Sequence, residues 1–136
     1  MSTSTRSSWK KDSHKYHDLQ AIFEKINQVF FSSKLQTKIL WARASLKKAR
    51  RYRRLGCFLP TQNMIKINPI LDDHEVPDYF IEYIVYHEML HAVYPPIRIN
   101  NRRYVHHKKF IEMEKAFPLY ERAKLWENTE GRKKFF

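Results

Sequence analysis

The segment His87-Glu88-Met89-Leu90-His91 sets two histidines four residues apart, with a glutamate beside the first. On an α-helix, side chains at i and i+4 share a face, so both imidazoles can reach one metal ion. The neighbouring carboxylate is placed to take a proton from a metal-bound water. The pattern therefore predicts zinc-assisted hydrolysis, most often of a peptide bond. In that chemistry zinc brings the pKa of its water to about 7. Glu88 accepts the proton, the hydroxide attacks a polarised carbonyl, and Glu88 passes the proton to the leaving nitrogen.

A catalytic zinc takes three protein ligands and keeps one position open. His87 and His91 supply two. The downstream candidates for the third are His106, His107, Glu112 and Glu114. If a helix begins near His106, then Phe110, Met113 and Phe117 follow it along one inward stripe, and His106 heads that stripe. His107 is rotated by about 100° from it and is the second choice. Glu112 points away from the stripe, and Glu114 lies nearer to it. Tyr94, Tyr104 and Arg98 are close enough in sequence to stabilise an oxyanion, but spacing does not select among them.

The elements that must hold these groups can be read from periodicity. Leu19, Ile22, Phe23, Ile26 and Phe30 recur at helical spacing and predict a helix over residues 16–31. Short apolar runs at 38–42, 55–59 and 64–68 predict three strands, read together as a small antiparallel sheet. Pro60-Thr61-Gln62-Asn63 between the last two carries turn chemistry. Pro77 and Asp78 suit a helix start, and Pro95-Pro96 stops that helix near Val93. Phe80, Ile81, Ile84, Val85, Met89, Leu90 and Ala92 make it apolar almost all round, as a central buried helix must be. A polar loop over 95–105, a helix over 106–117 broken by Pro118, and a last helix over 119–127 complete the reading. Residues 1–15 are expected to form a disordered basic arm, 16–128 the folded domain, and 129–136 a basic tail.

The chain has 136 residues, 43% of them hydrophobic, which suffices for one domain with a modest core. Cys57 is the only cysteine, so neither a disulfide framework nor a cysteine-based zinc ribbon can form. No apolar stretch is long enough to span a membrane. Met1 to Ser8 lack the apolar core of a signal peptide, so a cytoplasmic setting is expected. The net charge is +12. Lys47, Lys48, Arg50, Arg51, Arg53 and Arg54 put six basic residues within eight, with Trp41 and Tyr52 flanking or interrupting them. That composition suits DNA or RNA through phosphate contact and base stacking, with strong salt dependence. It equally suits a solvated strand edge.

Around these residues the chain resembles the SprT-like and YgjP-like zinc metallopeptidase domains, over about residues 19–127. The opening, Asn27, Phe30-Phe31, Leu35 and Trp41, is similar to the family's helix-then-strand start. Ile65-Lys66-Ile67-Asn68-Pro69 and Tyr83-Ile84-Val85-Tyr86-His87-Glu88-Met89-Leu90-His91 match closely. His106-His107-Lys108-Lys109-Phe110 resembles the family's His-x-x-x-Phe element, and Pro118, Tyr120 and Trp126 its closing segment. The resemblance implies an α+β, single-domain zincin-like fold, with a small antiparallel sheet against the HExxH helix and helices at both ends. It implies one Zn2+ on His87, His91 and His106, Glu88 as base, and a protein or peptide substrate. Relatives with long C-terminal extensions act on proteins crosslinked to DNA. The chain departs from the pattern at His107, where the family often has a small residue or proline. The metzincin pattern is absent, because Tyr94 and Ile97 stand where it needs Gly and His. Two other readings compete: a nucleic-acid-binding protein with a structural or vestigial zinc, and an interaction module with a closed metal site.

Overall fold

The structure, a computed structural model, describes residues 16–43 and 54–135. The expected N-terminal arm and Lys47, Lys48, Arg50, Arg51 and Arg53 of the basic stretch lie outside the described residues. Helix α1 spans Leu19–Phe31 and is capped by Asp18, whose Oδ1 accepts from the Ala21 N–H at 3.1 Å. Leu19, Phe23 and Ile26 follow one another at helical spacing, and all three are buried. Asn27 then closes the turn that follows. Its Nδ2 donates to Leu35 O at 2.8 Å and its Oδ1 accepts from Leu35 N–H at 3.2 Å.

Strands β1 (Lys38–Trp41), β2 (Gly56–Leu59) and β3 (Met64–Ile67) form one sheet in the order β1-β3-β2. The expected antiparallel sheet is in fact mixed. β2 and β3 pair antiparallel across the tight turn at 60–63, whereas β1 runs parallel to β3. The reason is the path between them. Parallel neighbours cannot be joined by a tight turn, and β1 and β3 are separated in sequence by residues 42–63, which is long enough for the chain to return in the same direction. Ile65 and Ile67 of the central strand are fully buried.

Helix α2 spans Asp78–Val93, with Pro77 at its N-cap just before the first turn, and nine of its 16 residues are buried. It packs against α1, β2 and β3, and against two later helices, α3 (Lys108–Lys115) and α4 (Tyr120–Trp126). Neighbours on every side explain why it is apolar all round. Aromatic rings fill its flanks: Phe80 meets Trp126 at 4.7 Å and Tyr86 meets Phe117 at 5.1 Å between centroids. Such offset, tilted pairs add to the burial of large apolar area.

Two local expectations are corrected. Residues 95–105 are not an irregular loop, because β4 (Ile97–Ile99) and β5 (Arg102–Tyr104) form an antiparallel hairpin. Its turn is Asn100-Asn101, with φ of 50° and 67°. Two consecutive left-handed residues are what a tight two-residue hairpin requires, and Asn tolerates that region. Helix α3 begins at Lys108 rather than His106, because His107 has extended backbone with ψ 179°. Beyond α4, a wide helical turn (Glu127–Gly131) leads into Arg132–Lys134. There the basic tail folds back: Lys134 Nζ reaches Glu75 Oε1 at 2.7 Å, and Phe135 packs on Trp126. No helix among the described residues is long and apolar enough to cross a membrane.

Candidate metal centre

His87 and His91 lie one turn apart on α2, and His106 approaches them from the segment between β5 and α3. One ring nitrogen from each of the three lies within 4.8 Å of the others. His91 Nε2 and His106 Nε2 are 3.2 Å apart. Two nitrogens bound to a tetrahedral zinc at about 2.0–2.1 Å lie about 3.3–3.4 Å from each other. The spacing therefore fits a shared ion. Phe110, fully buried, forms the floor beneath the cluster, with ring centroids 5.1, 4.6 and 4.8 Å from those of His87, His91 and His106.

The protonation states fit as well. Burial, reinforced by the neighbouring imidazoles, lowers the His91 pKa to about 4, and burial lowers that of His106. Both rings are thus held neutral, the form that offers a lone pair to a metal. His87 Nδ1 lies 2.8 Å from Glu114 Oε2, which leaves its Nε2 for the ion. The same Glu114 oxygen accepts from the Tyr83 hydroxyl at 2.7 Å. Burial alone would raise the Glu114 pKa. The hydrogen bonds from His87 and Tyr83, with the charges of His87 and Lys124, outweigh it and hold the carboxyl below its usual range. A carboxylate behind a histidine fixes the ring's tautomer and orientation and raises its basicity as a ligand.

His107, the second choice for third ligand, is turned elsewhere: its Nε2 meets Pro95 O at 3.1 Å. The helical-stripe argument also needs correcting. Phe110, Met113 and Phe117 do face inward, but His106 reaches the cluster from extended chain two residues before the helix.

Glu88 is buried beside the first histidine, and desolvation pushes its carboxyl up to about 7 against the pull of His87 and Arg54. A base with a pKa near neutrality is well matched to proton transfer at neutral pH. Gly56 makes room for it. A Cβ there would stand 3.1 Å from Glu88 Oε2 and 3.2 Å from Ile67 Cδ1, a tight contact that would press on the Glu88 carboxyl.

The three histidines open into a cleft of about 810 Å³. Arg54, Gly56 and Phe58 line it on the β2 side, and Pro95, Arg103 and Val105 on the hairpin side. The oxyanion candidates Tyr94, Tyr104 and Arg98 are not among its lining residues, whereas Arg54 and Arg103 are. Arg54 is also the one member of the basic stretch within the described residues. Sequence reasoning missed Arg103 in this role. The clue available was the turn pair Asn100-Asn101, which brings Arg103 opposite Arg98 in the hairpin.

Fold and centre together define an α+β protein whose HExxH helix and one further histidine can hold a metal ion above a buried glutamate. The SprT-like family model matches residues 19–122, and the chain belongs to the SprT-like family. No curated protein matches it.

Proposed function

We propose that the chain is a zinc-dependent metallopeptidase, with His87, His91 and His106 as ligands and Glu88 as general base. The observation that carries this reading is the 3.2 Å approach of His91 Nε2 to His106 Nε2, within a set of three imidazoles beside a buried carboxyl. A bound zinc ion supplies Lewis acidity and brings the pKa of a water into the neutral range. Glu88 takes up the proton released from that water and returns it to the departing amine. Glu114 and Tyr83 hold the His87 ring in place. Phe110 packs against all three rings, and burial keeps His91 and His106 neutral.

A peptide is the substrate that the cleft's edge suits. β2 lines the cleft, and among the described strands it pairs with β3 alone. An extended chain can add to such an edge through main-chain hydrogen bonds. The test is metal analysis of the purified protein, followed by chelator-sensitive cleavage of an unfolded protein substrate such as casein. Stoichiometric zinc with cleavage lost in Glu88→Gln supports the reading. Cleavage that persists in Glu88→Gln, or protein that takes up no zinc, refutes it.

A further inference from the structure

We infer that the cleft selects acidic peptide segments, with Arg54 and Arg103 receiving carboxylates on either side of the bond presented to Glu88. The inference rests on the peptidase reading and names its substrate class. Arg54 enters the cleft from the start of β2 and Arg103 from the hairpin. Both residues are exposed, and among the described residues neither has a carboxylate within ion-pair distance. The other charges lining the cleft are already engaged. Lys124 Nζ pairs with Glu127 at 3.0 Å, and Glu114 is taken by His87 and Tyr83. Glu88 sits deep beside the histidines. Two guanidinium groups are therefore left to meet an incoming chain.

A guanidinium offers paired N–H donors in a plane, which matches a carboxylate two-to-two and favours it strongly over a neutral side chain. Arg54 lies two residues before Gly56, whose Cβ position would stand 3.1 Å from Glu88 Oε2, so a carboxylate bound at Arg54 lies on the reacting-centre side of the cleft. The remaining lining is largely aliphatic, from Leu55, Pro60, Pro95, Pro96 and Val105, with Tyr83 buried and the Phe58 ring half-buried. What favours a peptide is the strand edge beside it. The free edge of β2 reads an extended backbone.

Binding tests this without turnover. Zinc-loaded Glu88→Gln protein is titrated against three fluorescein-labelled peptides that differ only in having Asp, Ala or Lys on both sides of a central Ala-Ala. The Asp peptide should bind about tenfold or more tightly than the Ala peptide, as charge-assisted hydrogen bonds to two guanidiniums imply. Adding Arg54→Gln or Arg103→Gln should bring the two within about threefold. Lys38→Gln, the same charge change on β1 at the opposite edge of the sheet, should leave the preference intact. Equal binding of the Asp and Ala peptides overturns the inference, as does an equal loss in Lys38→Gln. It is overturned too if a labelled oligothymidylate binds more tightly than the Asp peptide and loses that affinity in Arg103→Gln, since the guanidiniums then serve phosphate. Cleavage by the wild-type protein is scored separately. Preference without cleavage strikes the peptidase reading and leaves an anion-selective cleft, and cleavage without preference strikes the selectivity alone.

Discussion

Replacing Glu88 with Gln should make the metal-free protein more stable, and by an amount that grows with pH. Burial raises the Glu88 carboxyl from 4.5 to about 7. Between those values the folded protein keeps a proton that the unfolded chain has released. Raising the pH through that window therefore costs stability, and the loss is complete above the folded value. At about 1.4 kcal/mol per unit, a shift from 4.5 to about 7 corresponds to about 3 kcal/mol by pH 8. At pH 5 only about 1 kcal/mol of that has been lost. Glutamine keeps the shape of the protonated acid and has no proton to give up. The assay is urea denaturation of both proteins in excess chelator at pH 5 and pH 8. The advantage of Glu88→Gln should be about 2–3 kcal/mol larger at pH 8 than at pH 5. Every other side chain is common to both proteins, so the rest of the pH dependence largely cancels in the difference. An advantage independent of pH, or a less stable variant at pH 8, would refute the account of Glu88 as a carboxyl strained by desolvation. The same variant should lose about 10²–10⁴-fold in activity, so one substitution would trade catalysis for stability.

Glu114→Gln should weaken zinc binding by about 10–100-fold in competition with a chromophoric chelator while the circular dichroism spectrum is unchanged, because the carboxylate orients His87. His106→Ala should abolish stoichiometric zinc, whereas His107→Ala, whose ring bonds Pro95 O instead, should retain it in elemental analysis. Gly56→Ala sets a methyl 3.1 Å from the Glu88 carboxylate. It should lower kcat with zinc content preserved, and an unchanged kcat would mean that the position of Glu88 is not critical. Replacing Lys47, Lys48, Arg50, Arg51, Arg53 and Arg54 by Gln should weaken single-stranded oligonucleotide binding and flatten its salt dependence in a fluorescence titration. Equal binding by the substituted protein removes nucleic acid from the partners that the sequence suggests.

The long helices were readable because burial and spacing agree in them. Leu19, Phe23 and Ile26 repeat with the helical period, and Pro77 and Pro95 bracket α2. Strand direction was not readable. Lys38–Trp41 has the same local pattern whether it lies parallel or antiparallel to β3, and the outcome depends on the path of the chain between β1 and β2. The β4–β5 hairpin escaped because all six of its residues are exposed, so no alternation of burial marks it. His106 could be singled out by residue type and by its distance from Phe110. The extended chain that delivers it could not be, since nothing in His106-His107 forbids a helix there. Glu114 was weighed only as a ligand. Its bond to His87 depends on how α3 docks on α2, which the sequence does not encode locally.

That docking makes residues 106–117 a clasp. His106, Phe110 and Glu114, three of the contacts that shape the centre, come from one short stretch around an eight-residue helix. A helix of that length has little stability of its own in water. It is fastened to α2 by the Phe110 ring, the Glu114 bridge and the Tyr86 hydroxyl donating to Met113 O at 2.6 Å. If the clasp springs open, the third imidazole and the support of the His87 ring leave together while the sheet and α2 stay folded. The working lifetime of the centre is then governed by this local latch rather than by the melting point of the whole protein.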